Sequence, residues 1–406
     1  MQRLLKEITP RTEDYSQWYL DVINKADLMD YAPVRGFMVI KPYAYRVWEL
    51  IQAYMDARFR ETGHQNAYFP LLIPESLFTR EAEHVEGFSP EVAWVTQGGS
   101  EELGERLAIR PTSETIIGIM YAKWIQSYRD LPVLINQWCN VVRWEKATRP
   151  FVRPREFLWQ EGHTVHRTEA DAREETQRML NIYSDTLREV LAIPALAGEK
   201  SERERFAGAV GTWALEALMG DGRALQAATS HFLGQNFSRA FEIDFLDEDG
   251  ERRLGWTTSW GASIRLIGAL IMVHGDDRGL RLPPRVAPIQ VVVVPIAAGA
   301  QRDQVLAAAR QAGSEIQAVD GLRVQVDDRA EYTPGWKFND WEMRGVPVRV
   351  EIGPRDLAQG QVVLVRRDTG AKAVVPRNQL AVRVAELLDE VQEGLYQQAL
   401  AWRDAH

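Results

Sequence analysis

The chain has 406 residues, of which 45% are hydrophobic and 26% are charged, and its formal net charge is −9. This length and apolar content allow more than one core, and the apolar runs 264–273 and 289–298 are too short and interrupted to span a bilayer. The N-terminal segment lacks the layout of a signal peptide, and a single cysteine, Cys139, excludes an internal disulfide and a multi-cysteine zinc site. We expect a soluble, cytoplasmic protein of two domains that does not contact a membrane.

The first hundred residues alternate strand and helix signals. Residues 35–42 predict a strand that ends at a proline, and apolar residues at helical spacing across 47–59 predict a helix closed by Gly63. A second strand is predicted at 68–73. The acidic, glycine-rich stretch 80–108 predicts a mobile loop or a hairpin over a site.

The middle of the chain predicts a helix, a strand pair and two further helices. A helix is expected over 115–128, with Thr112 or Ser113 as its N-cap. Two strands at 134–145 and 156–166 are joined by a basic loop. After them come a helix over 169–191, a mixed segment, and a strand at 253–259 that leads into a helix opened by Arg265.

A proline-rich stretch at 283–288 marks a boundary, after which short β-branched runs alternate with helical patterns. This alternation is typical of a smaller α/β domain. Within 336–377 eight basic residues face five acidic ones, so this segment could meet phosphates although the whole chain is acidic. A merely solvated surface explains the same counts. We expect domains at 1–285 and 286–385, followed by a C-terminal helix at 386–406.

Three short strings together suggest a nucleotide site. They are Arg143-Trp144-Glu145, Arg153-Pro154-Arg155-Glu156-Phe157, and Trp260-Gly261-Ala262-Ser263-Ile264-Arg265. A guanidinium can neutralise phosphate, a carboxylate can accept the adenine amino group, and aromatic and guanidinium faces can sandwich the base. No P-loop or GxGxxG string is present, so these residues predict an enzyme that binds ATP in another way.

Alternate residues of a strand share a face, which predicts a convergence of functional side chains. The side chains expected on one surface of the hairpin are Arg143, Glu145, Phe157, Trp159, Glu161 and His163. A carboxylate and an imidazole would be costly in a dry core, so that surface should line a wet pocket. The alternative is a half-exposed amphipathic strand with polar residues by chance.

The three strings resemble the three signature motifs of class II aminoacyl-tRNA synthetases. In detail the chain resembles the prolyl-tRNA synthetases of the type found in archaea, eukaryotes and some bacteria. Motif 1 corresponds to 35–42 with its long helix, motif 2 to 143–157 and motif 3 to 260–265. The resemblance implies an α+β catalytic domain, an antiparallel sheet flanked by helices, followed by a smaller α/β anticodon-binding domain.

The resemblance also implies a set of ATP-binding residues. They are Arg143, Glu145, Arg153, Phe157, Gln226, Thr229 and Arg265. Arg143 would bind the α-phosphate and the amino-acid carboxylate, and Arg265 would stack on adenine opposite Phe157. Arg143 and Arg265 are the expected catalytic residues. ATP is expected as a substrate and Mg²⁺ as its companion ion, with no metal ligand assigned within the chain.

A proline pocket is implied in the same way. Its expected members are Thr112, Glu114, Arg143, Trp159, Glu161, His163, His231 and Ser263. Glu114 would take the secondary ammonium group of proline. Thr112 could instead be only a helix cap, and His231 a core histidine. Threonine is disfavoured as the substrate because residues 111–114 lack the zinc-binding cysteine of the threonine enzymes.

The resemblance extends to partners. The expected anticodon-binding residues are Lys337, Glu342, Arg349, Glu351 and Arg355, whose donors and acceptors suit splayed bases. We expect tRNA-Pro as the partner and a homodimer built on the helix at 43–61 and the strand at 67–73. No editing insertion separates motifs 2 and 3. The further C-terminal domain of many relatives is expected to be either absent or outside the sequence.

Two other functions remain open at this point. A catalytically silent, synthetase-like binding or regulatory protein is one, but such proteins usually lose the phosphate-binding arginines or the adenine-binding acid, and both are present here. The other is an enzyme that activates an amino acid for a purpose other than tRNA charging. The anticodon-type segment weighs against it.

Overall fold

The structure is a computed structural model that describes residues 8–78, 91–296, 299–319 and 321–406. The strands in these ranges are β1 Met29–Tyr31, β2 Met38–Ile40, β3 Gln65–Asn66, β4 Leu72–Pro74, β5 Ala93–Gly98, β6 Glu101–Ile109, β7 Val133–Val142, β8 Glu156–His166, β9 Leu196–Glu199, β10 Gly211–Leu218, β11 Ala224–Gly234, β12 Asp244–Leu246, β13 Arg252–Leu254, β14 Trp256–Ser263, β15 Val291–Pro295, β16 Val324–Val326, β17 Val348–Ile352, β18 Gln361–Arg366 and β19 Lys372–Pro376. The α-helices are Tyr15–Lys25, Pro42–Glu61, Glu114–Trp124, Glu169–Asp185, Asn236–Phe241, Arg265–His274, Arg302–Gln317, Pro334–Met343, Pro354–Gln359 and Leu380–Ala405.

A seven-stranded sheet forms the centre of the larger part of the molecule. Its strand order is β3-β7-β8-β14-β11-β10-β9, and every pair is antiparallel except β3 with β7. The helix Glu169–Asp185 packs across β11 and β14. On that side Trp260 lies flat over Gly162, where a Cβ atom would meet the indole ring at 2.1 Å. One sheet face is therefore a packed core, and the other is left for the pocket described below.

The segment that follows β3 differs from the sequence prediction. Only Leu72–Pro74 is a strand, paired with β6 in a separate three-stranded sheet, so the predicted strand at 68–73 is largely wrong. The reason is that side chains take the backbone groups of Phe69: its N–H donates to Gln137 Oε1, and its carbonyl accepts from Arg110 Nη1 at 2.7 Å. Strands β5 and β6 form a hairpin as predicted, whereas residues 79–90 of that prediction lie outside the described residues.

The helix after Thr112 begins at Glu114 and ends at Trp124. Ser113 occupies the N-cap position, but its side chain makes no capping hydrogen bond. The hydroxyl groups of Thr112 and Ser113 donate instead to Glu114 and Glu161. Ser113 is therefore the N-cap residue, as predicted, but its side chain does not cap the helix, because both hydroxyls are committed to buried carboxylates.

The smaller part of the molecule is the predicted α/β unit. Its sheet has the order β16-β15-β17-β18-β19, with β15 parallel to β16 and β17 and the remaining pairs antiparallel. The valines of β15 are fully buried because helices cover both faces. The antiparallel catalytic sheet and this mixed sheet confirm the predicted fold class.

The C-terminal helix Leu380–Ala405 touches both parts of the chain. Val384 and Leu388 belong to the core of the five-stranded sheet, whereas Val391 and Leu395 pack against Ala192. A buried ion pair adds to this junction: the guanidinium of Arg367 donates to both carboxylate oxygens of Asp276, at 2.8 and 2.6 Å. The domain limits stay predictions. Within the described residues, no helix combines the length and apolar character needed to cross a membrane.

Buried histidines should make the fold sensitive to acid. Burial lowers the pKa of His231 to about 3 and the pKa of His166 and His274 to about 4. An unfolded histidine binds a proton below a pH of about 6.5, so stability is lost as the pH falls from that value toward the lowered pKa. Each histidine should cost about 2 kcal/mol of the free energy of unfolding between pH 7 and pH 5.

Urea unfolding at pH 7 and pH 5 tests this expectation. His274 contacts the carbonyl oxygen of Leu191 at 2.8 Å, and in the variant His274→Gln an amide can keep that hydrogen bond without titrating. The variant should lose about 2 kcal/mol less than the wild type between the two pH values. His406→Gln, at an exposed position, is the matched control. An equal pH dependence in all three proteins would contradict the expectation.

Candidate active site

A cavity of about 470 Å³ opens on the free face of the seven-stranded sheet. This volume lies in the range of small-molecule sites. The predicted residues that line it are Thr112, Glu114, Arg143, Glu145, Phe157, Trp159, Glu161, His163, Gln226, Thr229, His231, Ser263 and Arg265. The structure thus brings together every predicted ATP- or proline-site residue except Arg153, whose guanidinium lies 3.3 Å from Glu145 Oε2 and is 60% exposed.

Strand parity explains one side of the cavity. Phe157, Trp159, Glu161 and His163 alternate along β8, and all four face the cavity as predicted. The same argument is wrong for Arg143 and Glu145, because β7 already ends at Val142. These two residues reach the cavity from the turn that follows, in which the N–H of Glu145 donates to the carbonyl of Arg143 at 2.7 Å.

Arg143 is a half-buried cation at the centre of the site. Its guanidinium carbon lies 5.4 Å from the centroid of the Phe157 ring and 5.3 Å from that of Trp159. Its Nε–H donates to the carbonyl of Pro111 at 3.0 Å. Burial lowers its pKa, an effect that nearby carboxylates oppose, and an arginine remains protonated in such a setting. In the described part of the chain neither Nη atom has a hydrogen-bond partner, so both are available to an anion.

Arg265 approaches the same cavity from the opposite side. It is the first residue of the helix Arg265–His274, and backbone carbonyls fix its side chain: Nε donates to Val152 at 3.0 Å and Nη1 to Gln226 at 3.2 Å. Burial, Arg143 and Arg153 all lower its pKa. Two cations therefore flank one cavity, and a polyanion would relieve their mutual repulsion.

A carboxylate–imidazole pair lies at the inner end. Glu161 Oε2 is 3.0 Å from His163 Nε2, and both residues are buried. Burial disfavours both charges, but the hydrogen bond between them and the charge of Glu114 raise the pKa of His163, while His163, Ser113 and Gln137 lower the pKa of Glu161. Both shifts favour the ionic form of the pair.

Glu114 faces this pair across the cavity. A carboxylate oxygen of Glu114, one of Glu161 and a ring nitrogen of His163 lie within 4.8 Å of one another. Thr112 Oγ1 donates to Glu114. This end of the cavity presents two carboxylates and one cation, which favours a small, positively charged guest such as an ammonium group.

His231 has a different character from His163. Its Nδ1 is 3.0 Å from Thr212 Oγ1, its ring lies 4.7 Å from that of Phe206, and its lowered pKa makes it neutral. It therefore supplies an uncharged wall of the cavity. Both the pocket role and the core-histidine alternative fit this placement.

Several residues at the site escaped the sequence analysis. They include Ser113, Gln137 and Cys139, which contact Glu161, and Lys200, Phe206 and Thr212, which line the cavity. The only available signal was parity: Gln137 and Cys139 alternate on β7 and face Glu161 and Trp159 on β8. The segment 200–212 carries no regular period, so nothing in the sequence placed it over the pocket.

The predicted anticodon residues lie on the five-stranded sheet and the helix Pro334–Met343. Lys337, Arg349 and Glu351 are buried, and they pair internally: Lys337 Nζ donates to the carbonyl of Asp327 at 2.9 Å, and Arg349 Nη2 donates to Glu351 Oε1 at 2.9 Å. Glu342 accepts from Arg349 Nη1 at 3.1 Å and is half-buried, whereas Arg355 is exposed. Their contact with tRNA stays a prediction.

Comparison with known proteins agrees with this arrangement. Residues 94–274 match the profile of the tRNA synthetase class II core domain (G, H, P, S and T), and residues 290–393 match that of an anticodon binding domain. The chain is 61% identical to a proline–tRNA ligase of Natranaerobius thermophilus, covering 98% of this chain and 82% of that relative. It is 62% identical to one of Symbiobacterium thermophilum (99% and 82%) and 63% identical to one of Rubrobacter xylanophilus (100% and 85%). The chain therefore belongs to the proline–tRNA ligase family of class II tRNA synthetases.

Proposed function

We propose that the chain activates L-proline with ATP, releases pyrophosphate, and transfers the prolyl group from prolyl-adenylate to the 3′ end of tRNA-Pro. The observation that carries the proposal is the shared cavity, in which two half-buried arginines flank one end and two carboxylates with a histidine occupy the other. Identity of 61 to 63% with three proline–tRNA ligases supports the same activity.

An enzyme accelerates this reaction mainly by positioning the two reactants and by neutralising the charge of the phosphates. The carboxylate of proline attacks the α-phosphorus in line, and the bond to the pyrophosphate oxygen breaks. Arg143 serves both reactants, because its free Nη atoms can hold the amino-acid carboxylate and the α-phosphate side by side. Arg265 and Phe157 hold adenine between them, Glu145 accepts its amino group, and Arg153 meets the outer phosphates. Gln226 and Thr229 line the part of the cavity proposed for the nucleoside.

Magnesium is part of the proposal as a companion of ATP. The cavity lining offers carboxylate oxygens in Glu91 and Glu204, which suit a hard divalent cation. The ion would neutralise phosphate charge. Most of its ligands would be phosphate oxygens and water, as is usual for Mg²⁺ with nucleotides.

The other end of the cavity accounts for proline. Glu114 takes the secondary ammonium group, with Thr112 and His163 around it, while Trp159 and His231 wall the ring and Ser263 lies nearby. A compact pocket of this kind does not exclude smaller apolar amino acids strongly. We infer that misacylated tRNA is cleared elsewhere, since no editing insertion separates motifs 2 and 3.

Pyrophosphate exchange with each of the twenty amino acids tests the proposal. Exchange stimulated by proline, followed by charging of tRNA-Pro, is the expected result. Absence of exchange would favour a silent binding protein instead. Exchange without charging would favour an enzyme that activates proline for another acceptor. Protein synthesis as the setting also implies a cytoplasmic location.

We further propose a homodimer, formed at a surface apolar patch that we define as Tyr68, Leu72 and Trp124. These side chains are 70%, 38% and 46% exposed, and Phe69 links the patch, with its ring 5.9 Å from that of Trp124. Exposed aromatic groups of this size are typical of interfaces.

Sedimentation of the double variant Tyr68→Asp/Trp124→Asp tests the dimer. The wild type should sediment with about twice the mass of the chain, and the variant should shift toward monomer, because two charges would be desolvated at the interface. Val382→Asp changes an equally exposed apolar residue, 66% exposed, on the C-terminal helix and should leave the dimer intact. A monomeric wild type, or equal behaviour of both variants, would contradict the patch assignment.

A further inference from the structure

We infer that Gln137 and Ser113 are positioning residues that hold Glu161 on His163, so that Glu114, and not Glu161, is free to bind the substrate ammonium group. The inference rests on the proposed function and assigns roles to two residues outside the predicted site.

Both oxygens of Glu161 are fully occupied. Oε2 accepts from the backbone N–H of Ser113 at 3.1 Å and lies 3.0 Å from His163 Nε2. Oε1 accepts from Gln137 Nε2 at 3.0 Å and from the Ser113 hydroxyl, and Cys139 Sγ is 3.4 Å away. A carboxylate has about four lone-pair sites, so Glu161 has none left for a guest.

Chemistry fixes the direction in which the Gln137 amide points. Its oxygen accepts the backbone N–H of Phe69, which can only donate, so its NH₂ group must face the pocket. That NH₂ donates to Glu161 and, at 3.2 Å, to Ser113 Oγ. Gln137 is fully buried on β7, and its strand neighbour across the sheet is Glu161 itself. The amide therefore ties Glu161 to the backbone of the connection between β3 and β4.

The consequence is that two neighbouring carboxylates have different partners. Glu161 neutralises His163, which keeps that imidazole charged and in place. Glu114 is left to face the guest. We call the hydrogen bonds from Gln137 and Ser113 to Glu161 the clamp. Without the clamp, Glu161 could rotate away from His163, and the imidazole would compete with the substrate for Glu114. Gln137 and Ser113 act through Glu161 and need not touch proline.

Proline-dependent pyrophosphate exchange by the full chain tests the clamp. Gln137→Met and Ser113→Ala should each raise the KM for proline about tenfold, the loss expected for one hydrogen bond to a charged group. The KM for ATP and kcat should stay within about twofold of the wild type. A purely structural role would instead lower kcat through a smaller active fraction and leave both KM values unchanged.

Gln160→Met is the matched control. Gln160 is also a fully buried glutamine, adjacent on β8, but its amide accepts from Tyr183 OH at 2.7 Å on the side of the sheet away from the cavity. The KM for proline should not change in this variant. An unchanged KM in both clamp variants, or an equal rise in the control, would overturn the inference. If Gln137→Met does not fold, the KM for proline of Ser113→Ala alone tests the inference. Ser113→Ala removes only the hydroxyl group and keeps the backbone N–H that binds Glu161.

The same experiment separates the two levels of the argument. A wild-type protein that shows no proline-stimulated exchange would contradict the proposed function. A wild type that responds to proline, with clamp variants that match it, would contradict only the clamp.

Discussion

Arg143→Ala should reduce kcat/KM for proline-dependent pyrophosphate exchange by about a thousandfold or more, since a buried donor aimed at developing charge is typically worth a factor of that order. The side chain lies beside two aromatic rings and donates to the carbonyl of Pro111, which leaves its Nη atoms free in the cavity. Its loss removes the cation that aligns the attacking carboxylate with the α-phosphate.

Arg143→Lys should recover little of this activity. A lysine keeps the charge but places its N–H donors on one compact nitrogen, so it cannot hold a carboxylate and a phosphate with two parallel N–H groups or stack on Phe157 and Trp159. Circular dichroism and urea unfolding should match the wild type, because the residue is not part of a packed core. Activity of Arg143→Lys close to that of the wild type would show that only charge matters here.

Arg173→Ala provides the matched control. Arg173 also stacks on an aromatic ring, with its guanidinium carbon 4.2 Å from the centroid of Phe232, but its side chain is half exposed on the helix Glu169–Asp185. Exchange by this variant should equal that of the wild type. A comparable loss in both variants would mean that stacking, rather than the place of Arg143 in the cavity, sets the activity.

One wall of the cavity and the second sheet could be predicted from short-range patterns in the sequence. Residues of β8 alternate strictly, so parity alone placed Phe157, Trp159, Glu161 and His163 on one surface. The valine run of β15 and the proline-rich boundary likewise gave the second sheet. These features depend on local geometry, which a single sequence records well.

The errors share one physical cause, which is competition from distant side chains. Residues 68–71 read as a strand, but Gln137 and Arg110 take the backbone groups of Phe69 that a ladder would need. Ser113 read as a helix cap, but a buried carboxylate 48 residues away takes its hydroxyl. Local propensity carries no information about such partners.

The sequence also does not show which charged residues of the smaller α/β unit are paired within the fold. Lys337, Arg349 and Glu351 read as polar groups available to bases, yet each is buried against an opposite charge. A sequence shows that a residue is charged but does not show whether its partner lies within the fold. Their charges are paired within the domain, and base contacts remain a prediction for the more exposed Glu342 and Arg355.

Glu114→Gln should raise the KM for proline about a hundredfold and change the KM for ATP less than about twofold, because truncating one member of a buried charge pair typically costs several kcal/mol. Glu114 is 7% exposed and lies beside an ion pair that is already complete. An uncharged amide at this position leaves the ammonium group of proline desolvated without a counter-charge. The amide also preserves the size of the side chain, so a change in cavity shape is a minor factor.

Isothermal titration can separate this effect from a loss of folding. The variant should still bind ATP with an affinity close to that of the wild type, and its proline binding should become undetectable at concentrations that saturate the wild type. Glu156→Gln is the control: Glu156 is on the same sheet and accepts from Asn140 Nδ2 at 2.8 Å, but it does not line the cavity. Its proline affinity should be unchanged. If Glu114→Gln binds proline like the wild type, then Glu161 must be the carboxylate that receives the ammonium group. The hydrogen bonds of Ser113 and Gln137 would then have to break whenever the substrate enters.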